Sequence, residues 1–117
     1  MSAPGTLEPA TLVLACQAQV ALLLPCYAAD AQPEAVSRGS WALAGAVLLL
    51  RQARDGLTGT HQVHAAEALE VLLAADNHGC VVGDAASRGV ARVLLTAAVR
   101  LLAGLGSALV DAEEADA

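Results

Sequence analysis

Large apolar residues recur along this chain at the three- and four-residue spacing of amphipathic helices. In the last long segment, Arg88, Arg92, Thr96 and Ser107 lie on the side of a helix opposite to an apolar stripe. That stripe consists of Val90, Leu94, Leu95, Ala98, Leu101, Leu102, Leu105 and Leu109. The alternation typical of a β-strand never persists for six residues. The pattern therefore predicts an all-α chain.

The first apolar segment is one-sided in the same way. At about 100° per residue its large side chains fall within an arc of about 120°, and they are Leu12, Val13, Cys16, Val20, Leu23, Leu24 and Tyr27. Leu14 and Leu22 lie outside this arc. The 21 residues between Glu8 and Asp30 carry no charge. A helix of this length is long enough to span a bilayer. Because the large residues are concentrated on one side, we expect a core helix and no membrane-spanning segment.

Helix start and stop signals divide the chain into four helices, over residues 9–28, 34–54, 60–75 and 84–110. Pro9 and Pro33 suit the first turn of a helix, whereas Pro25 must kink the first helix or end it at Leu24. Short connections favour antiparallel neighbours. We therefore predict a small antiparallel four-helix bundle in a single domain, residues 1–110, followed by a disordered acidic tail over 111–117.

The second helix carries two separate apolar faces. Val36, Leu43, Val47 and Leu50 form one stripe, while Trp41 and Leu48 lie together on a different side of the helix. Two apolar faces require two neighbours. We expect an intermolecular contact through this helix, made by Trp41, Leu48, Val47 and Leu43, with the indole as its anchor.

The composition also favours a partner. The apolar share is 56%, against a typical range of about 45–50%. The chain has 28 alanines, 20 leucines and no lysine, isoleucine or phenylalanine, which indicates a GC-rich genome. That bias explains the alanines but not the leucines, although close packing of Ala-rich helices is an alternative explanation. We expect a non-enzymatic interaction or assembly protein whose partner is another protein or a second copy, with no cofactor.

Charge and cysteine content exclude several classes of protein. The net charge is −6, but four acids lie in the last seven residues, which leaves eight acids against six arginines elsewhere. No basic patch is present, so we expect no nucleic-acid partner. Cys16, Cys26 and Cys80 are too few and too widely spaced for a disulfide framework or a metal knuckle. With no basic residue ahead of the first apolar run, we expect no secretion signal and a cytoplasmic location.

One candidate metal site lies on the third helix. His61, His64, Glu67 and Glu70 follow one another at three-residue intervals, so successive members are neighbours on the helix surface. His61, His64 and Glu67 are therefore candidate metal ligands. The series rotates by about half a turn, however, and the interiors of the first and last helices offer no carboxylate to complete a site. A solvated polar face is the preferred interpretation.

A candidate reactive thiol lies in the predicted loop over residues 76–83. His78 and Cys80, with Asp84 beyond, are the residue types of an activated thiol nucleophile. The competing interpretation is an ordinary helix end, at which Asn77 and Gly79 take a positive φ. The alternative function is thus a small metal- or ligand-binding enzyme that uses either this pair or the His61, His64 and Glu67 set.

Overall fold

The computed structural model describes residues 8–79 and 84–116. Helix α1 spans Pro9–Leu23 and is followed by a 3-10 helix, Leu24–Tyr27; α2 spans Pro33–Asp55, α3 spans Gly59–Gly79 and α4 spans Ala85–Asp116. No strand occurs in either of these two ranges. The predicted all-α four-helix architecture is confirmed.

Each helix of the bundle packs against two others. Helix α1 contacts α2 and α4, and α3 contacts the same two helices. The Sγ of Cys16 donates to the carbonyl oxygen of Ala46, and the Nε2 of Gln19 donates to that of Ala42. Because later residues of α1 meet earlier residues of α2, these two helices are antiparallel. Because each helix has two such neighbours, one of its sides faces the core and the opposite side faces outward.

Pro25 ends the first helix instead of kinking it. A proline has no amide to donate to the preceding turn, and α1 stops at Leu23, before the range of 9–28 that we predicted. The chain tightens into the 3-10 helix, which closes with a hydrogen bond from the Ala28 amide to the Pro25 carbonyl oxygen. Tyr27 is thereby turned into the core.

Helices α3 and α4 are longer than predicted. Helix α3 ends at Gly79 and not at residue 75, so Asn77 and His78 lie in its last turn. The positive φ expected at Asn77 is absent, and Gly59, at the start of α3, is the described residue that has one. Helix α4 continues past Val110 to Asp116, through residues for which we predicted disorder. Alanine and glutamate extend an existing helix at little cost, which explains the added turns.

The core is built from apolar side chains of all four helices. Its largest fully buried members are Val13, Val20, Tyr27, Val36, Leu43, Leu50, Leu72, Leu95 and Leu102. Arg88 is the buried charged residue of the described ranges, and its Nη2 donates to the carbonyl oxygen of Ala29 at 2.9 Å. This bond ties the start of α4 to the segment that follows the 3-10 helix.

Two segments are long and apolar enough to cross a membrane by length and composition, Pro9–Tyr27 and Ala85–Glu113. In the bundle each of them contributes buried residues from one side only. Core helices of soluble proteins satisfy the same criterion of length and hydropathy, so this criterion does not distinguish a core helix from a span.

Candidate interaction surfaces

The outer side of α2 carries an exposed apolar surface, which we call the α2 face and define as Trp41, Ala44 and Leu48. Trp41 is 82% exposed and Leu48 is 58% exposed. The three residues are spaced at intervals of three and four, so they lie along one side of the helix. This arrangement agrees with the predicted separation of the two apolar sides of this helix.

Two of the four predicted contact residues do not belong to the α2 face. Leu43 and Val47 are buried in the core. They lie on the side of α2 that packs against α1 and α3, where they are covered within the chain itself. The expectation that they take part in an intermolecular contact is therefore wrong.

A second apolar surface lies on α1, and we call it the α1 face. It consists of Leu14, Ala15, Ala18, Ala21 and Leu22, all of them exposed. Leu22 is 81% exposed and Leu14 is 49% exposed. Leu14 and Leu22 lie outside the core-facing arc of the sequence pattern, but that pattern does not show whether a neighbouring helix covers them.

Shallow grooves border the α1 face on both sides. Leu14 and Gln17 line the groove towards α4, opposite Ala103, Gly106 and Val110. On the other side, the groove towards α2 is lined by Gln19, Leu22, Leu23, Cys26, Arg38 and Ala42. The α1 face is thus a low ridge between two grooves, with a glutamine at each border.

The candidate metal ligands on α3 do not converge. His64 and Glu67 are exposed and line an open groove against α4, where Arg100 faces them. His61 is half-buried, and within the described ranges its Nδ1 has no hydrogen-bond partner. No three histidine, cysteine or acidic side chains of the described chain are placed to hold a metal ion. The three-residue spacing rotates successive side chains apart, and the neighbouring helix supplies a cation where a further ligand is needed.

The predicted thiol site lies only partly within the described residues. His78 is exposed in the last turn of α3, whereas Cys80 lies outside them, so their pairing stays a prediction. Asp84 has a structural role, because its Oδ1 accepts hydrogen bonds from the amides of Ala86 and Ser87 at the start of α4. Hydrogen bonds from the amide and hydroxyl of Ser87 lower the pKa of the Asp84 carboxyl.

The remaining described cysteines, Cys16 and Cys26, are both free and differ in burial. Cys16 is fully buried, and burial raises the pKa of its thiol to about 12. A thiol with such a pKa contains almost no thiolate at neutral pH, and the thiolate is the nucleophile. Cys26 is half-buried beside the groove between α1 and α2.

The described surface therefore offers the α1 and α2 faces, together with the exposed side chains of Val90, Val93 and Leu101 on α4, in place of a converging set of chemically active side chains. No family model matches this chain, and no curated protein and no solved structure matches it either.

Proposed function

We propose that this chain is a non-enzymatic interaction or assembly protein that buries the α2 face against another protein or a second copy. The observation that carries the proposal is the exposure of Trp41, at 82% of its surface. A tryptophan left in water forgoes the largest apolar burial that any side chain offers. Residues of this type are common anchors at the centre of protein interfaces.

The neighbours of Trp41 support the proposal. Leu48 lies about 10 Å farther along the same side, two helical turns away, and Ala44 between them is small and exposed. A small residue between two large ones leaves a recess into which a partner's side chain can pack. Scattered single apolar residues are normal on a surface, but a tryptophan and a leucine on one stripe form a patch.

Trp41 is also the chain's sole tryptophan, so its fluorescence reports directly on the α2 face. We expect the emission of a water-exposed indole from the dilute purified chain. In the assembly isolated from native cells, the emission maximum is expected at shorter wavelength because the contact removes water from the ring. The same shift in the concentrated pure chain would identify a second copy as the partner.

Two substitutions separate the contact from a general effect of added charge. Leu48→Glu places a carboxylate in the α2 face and is expected to release the partner. Val63→Glu is the matched control, because Val63 is similarly exposed but lies on α3. A native chain that elutes as a monomer, with Trp41 still water-exposed, would refute the proposal.

A further inference from the structure

The sequence of α1 is chemically palindromic about Ala18. Gln17 and Gln19 flank this residue, then at equal distances follow Ala15 and Ala21, and then Leu14 and Leu22. Val13 and Leu23 also match, and the pair nearest the glutamines, Cys16 and Val20, is apolar and buried. A helix with this order of side chains presents nearly the same chemistry when it is read in either direction.

The palindromic positions on the outer side are the exposed ones. The alanines at 15, 18 and 21 and the leucines at 14 and 22 together make up the whole α1 face. Gln17 and Gln19 are half-buried at its two borders, and the Nε2 of Gln19 is held by the Ala42 carbonyl oxygen. The symmetric leucines and alanines of the α1 face are therefore exposed and are not buried in the core.

We propose that the α1 face binds the α1 face of a second copy, antiparallel, about a two-fold axis that passes beside Ala18. In a two-fold interface, residue i of one copy contacts residue j of the other and the reverse contact occurs as well. Here Ala18 meets its own counterpart, Leu14 meets Leu22 of the second copy, and Leu22 meets Leu14. The alanines at 15 and 21 allow the two helix backbones to approach closely, and each leucine packs over them.

Charge distinguishes this face from the α2 face as a site for self-association. No charged residue lies between Pro9 and Leu23. The charged residues lining the two bordering grooves, Arg38 and Asp111, have opposite signs and lie outside the α1 face. On α2, a two-fold axis midway between Trp41 and Leu48 would place Arg38 opposite Arg51, and likewise Glu34 opposite Asp55. Like charges directly opposed disfavour a pairing. The α1 face thus fits a copy of itself, while the α2 face fits a different chain better.

A lipid surface is the other apolar environment that the α1 face could contact, and the charges argue against it. Helices that lie on membranes typically carry lysine or arginine along their polar side and benefit from attraction to anionic lipids. Helix α1 has no basic residue, and the whole chain has a net charge of −6. Self-pairing needs no such attraction.

The self-pairing is expected to be weak and dependent on concentration. The α1 face from Leu14 to Leu22 is about 12 Å long at the rise of an α-helix, and so short a contact buries less surface than the interface of a permanent dimer. We expect the sedimentation mass to rise from one chain towards two as concentration increases from about 10 µM to about 1 mM.

The antiparallel register can be tested by disulfide cross-linking. Leu14→Cys and Leu22→Cys are prepared separately, each with Cys26→Ser and Cys80→Ser, and are oxidised either alone or mixed. The mixture is expected to form a covalent dimer, whereas each variant alone is not. In the proposed register, identical positions lie about 12 Å apart along the axis, beyond the reach of a disulfide. Val63→Cys mixed with Leu14→Cys is the matched control and is expected to stay uncross-linked.

Charge placed on the seam provides an independent test. Ala18→Glu and Leu22→Glu are each expected to keep the sedimentation mass at one chain, whereas Val63→Glu retains the concentration-dependent dimer. The proposal is overturned by a monomer at every concentration, by a dimer that survives Leu22→Glu, or by cross-links between identical positions. Binding of the chain to phosphatidylcholine vesicles without dimerisation would overturn it in favour of a lipid surface.

This inference is independent of the proposed contact through Trp41, because the two faces lie on different helices. A dimer formed through α1 leaves the emission of Trp41 unchanged, and Leu48→Glu leaves that dimer intact. If the α1 faces do not pair, the proposed contact through the α2 face is therefore unaffected. Conversely, a water-exposed Trp41 in the native assembly would refute the proposed function alone.

Discussion

Cys16 shows how strongly the core controls the chemistry of one residue. Its side chain is fully buried at the contact between α1 and α2, where the Sγ donates to the Ala46 carbonyl oxygen at 3.4 Å. Burial disfavours the charged thiolate, which raises the pKa of this thiol to about 12. The residue acts as a small apolar core side chain, so an alkylating reagent is not expected to reach it in the folded protein.

The raised pKa of Cys16 predicts a loss of stability at alkaline pH. Above pH 9 the unfolded chain releases this proton while the folded chain retains it until about pH 12. The unfolded state then binds fewer protons, so the free energy of unfolding falls with pH, by about 1 kcal/mol per pH unit from this group. Urea unfolding at about pH 8 and about pH 10.5 measures the slope. We expect Cys16→Ala to show a shallower loss, and equal slopes would contradict the assignment.

Arg88 and Arg92 differ in burial although they are one turn apart on the side of α4 that the sequence pattern marks as polar. Arg92 is exposed as expected, but Arg88 is buried. The carbonyl oxygen of Ala29, just after the 3-10 helix, accepts a hydrogen bond from its guanidinium. The periodicity of α4 alone could not show this, because the acceptor comes from a segment 59 residues earlier.

At the scale of the elements, Gly39 determines how α2 meets the 3-10 helix. A Cβ at this position would lie 2.8 Å from the Cβ of Cys26 and 3.1 Å from the Cε2 of Tyr27. The Tyr27 side chain is fully buried, and close packing of the core resists its displacement. The close packing after Pro25 therefore depends on a residue without a side chain.

A matched pair of glycine substitutions tests this contact. Alanine is favoured over glycine within a helix by about 1 kcal/mol, yet we expect Gly39→Ala to lower the free energy of unfolding by about 1–3 kcal/mol because it overpacks the core. Gly104 on α4 has no atom within 4 Å of a built Cβ, so Gly104→Ala is expected to stabilise the protein. Urea titration of both variants measures the difference. Stabilisation by Gly39→Ala would show that the contact is looser than described.

Gly104 and Gly106 also show what the sequence pattern leaves open within an element. A glycine inside a helix often marks the close approach of another backbone. Gly104 faces open space, and at Gly106 the nearest neighbours are side-chain atoms of Leu14 and Val13. Both glycines lie within continuous helix. Sequence alone shows that a side chain is missing, whereas the neighbouring helix decides whether that space is used.

At the scale of the whole molecule, the bundle separates the apolar residues of α2 into a core set and a surface set. Leu43 is fully buried and Leu48 is exposed, although both are leucines on one helix. The first stabilises the fold, while the second is available to a partner. The proposed function depends on this separation.

Alanine substitution at these two leucines provides the measurement. We expect Leu43→Ala to lower the free energy of unfolding by about 2–5 kcal/mol, because it removes core contacts and leaves a cavity. Leu48→Ala is expected to change it by less than about 0.5 kcal/mol, since no buried contact is lost. Chemical denaturation of both variants decides the matter. Equal losses would mean that Leu48 is covered within the chain itself.

The sequence by itself determined the helical class, the number of helices and, to within one residue, the start of each one. Those features follow from local causes, namely the helical spacing of leucines and the backbone restrictions of Pro9, Pro25 and Pro33. It also separated Trp41 and Leu48 from the core stripe of α2. The ends of α3 and α4 were not determined, because alanine-rich turns continue with little local preference for stopping.

Only the tertiary structure decided which apolar side chains remain in water. Leu43 and Val47 were grouped with Trp41 as contact residues, and their burial depends on where α1 and α3 lie. The α1 face was overlooked for the same reason, since the exposure of Leu14 and Leu22 is settled by the placement of α2 and α4. Periodicity places a residue on one side of a helix, but the packing of neighbouring helices decides whether that side is covered.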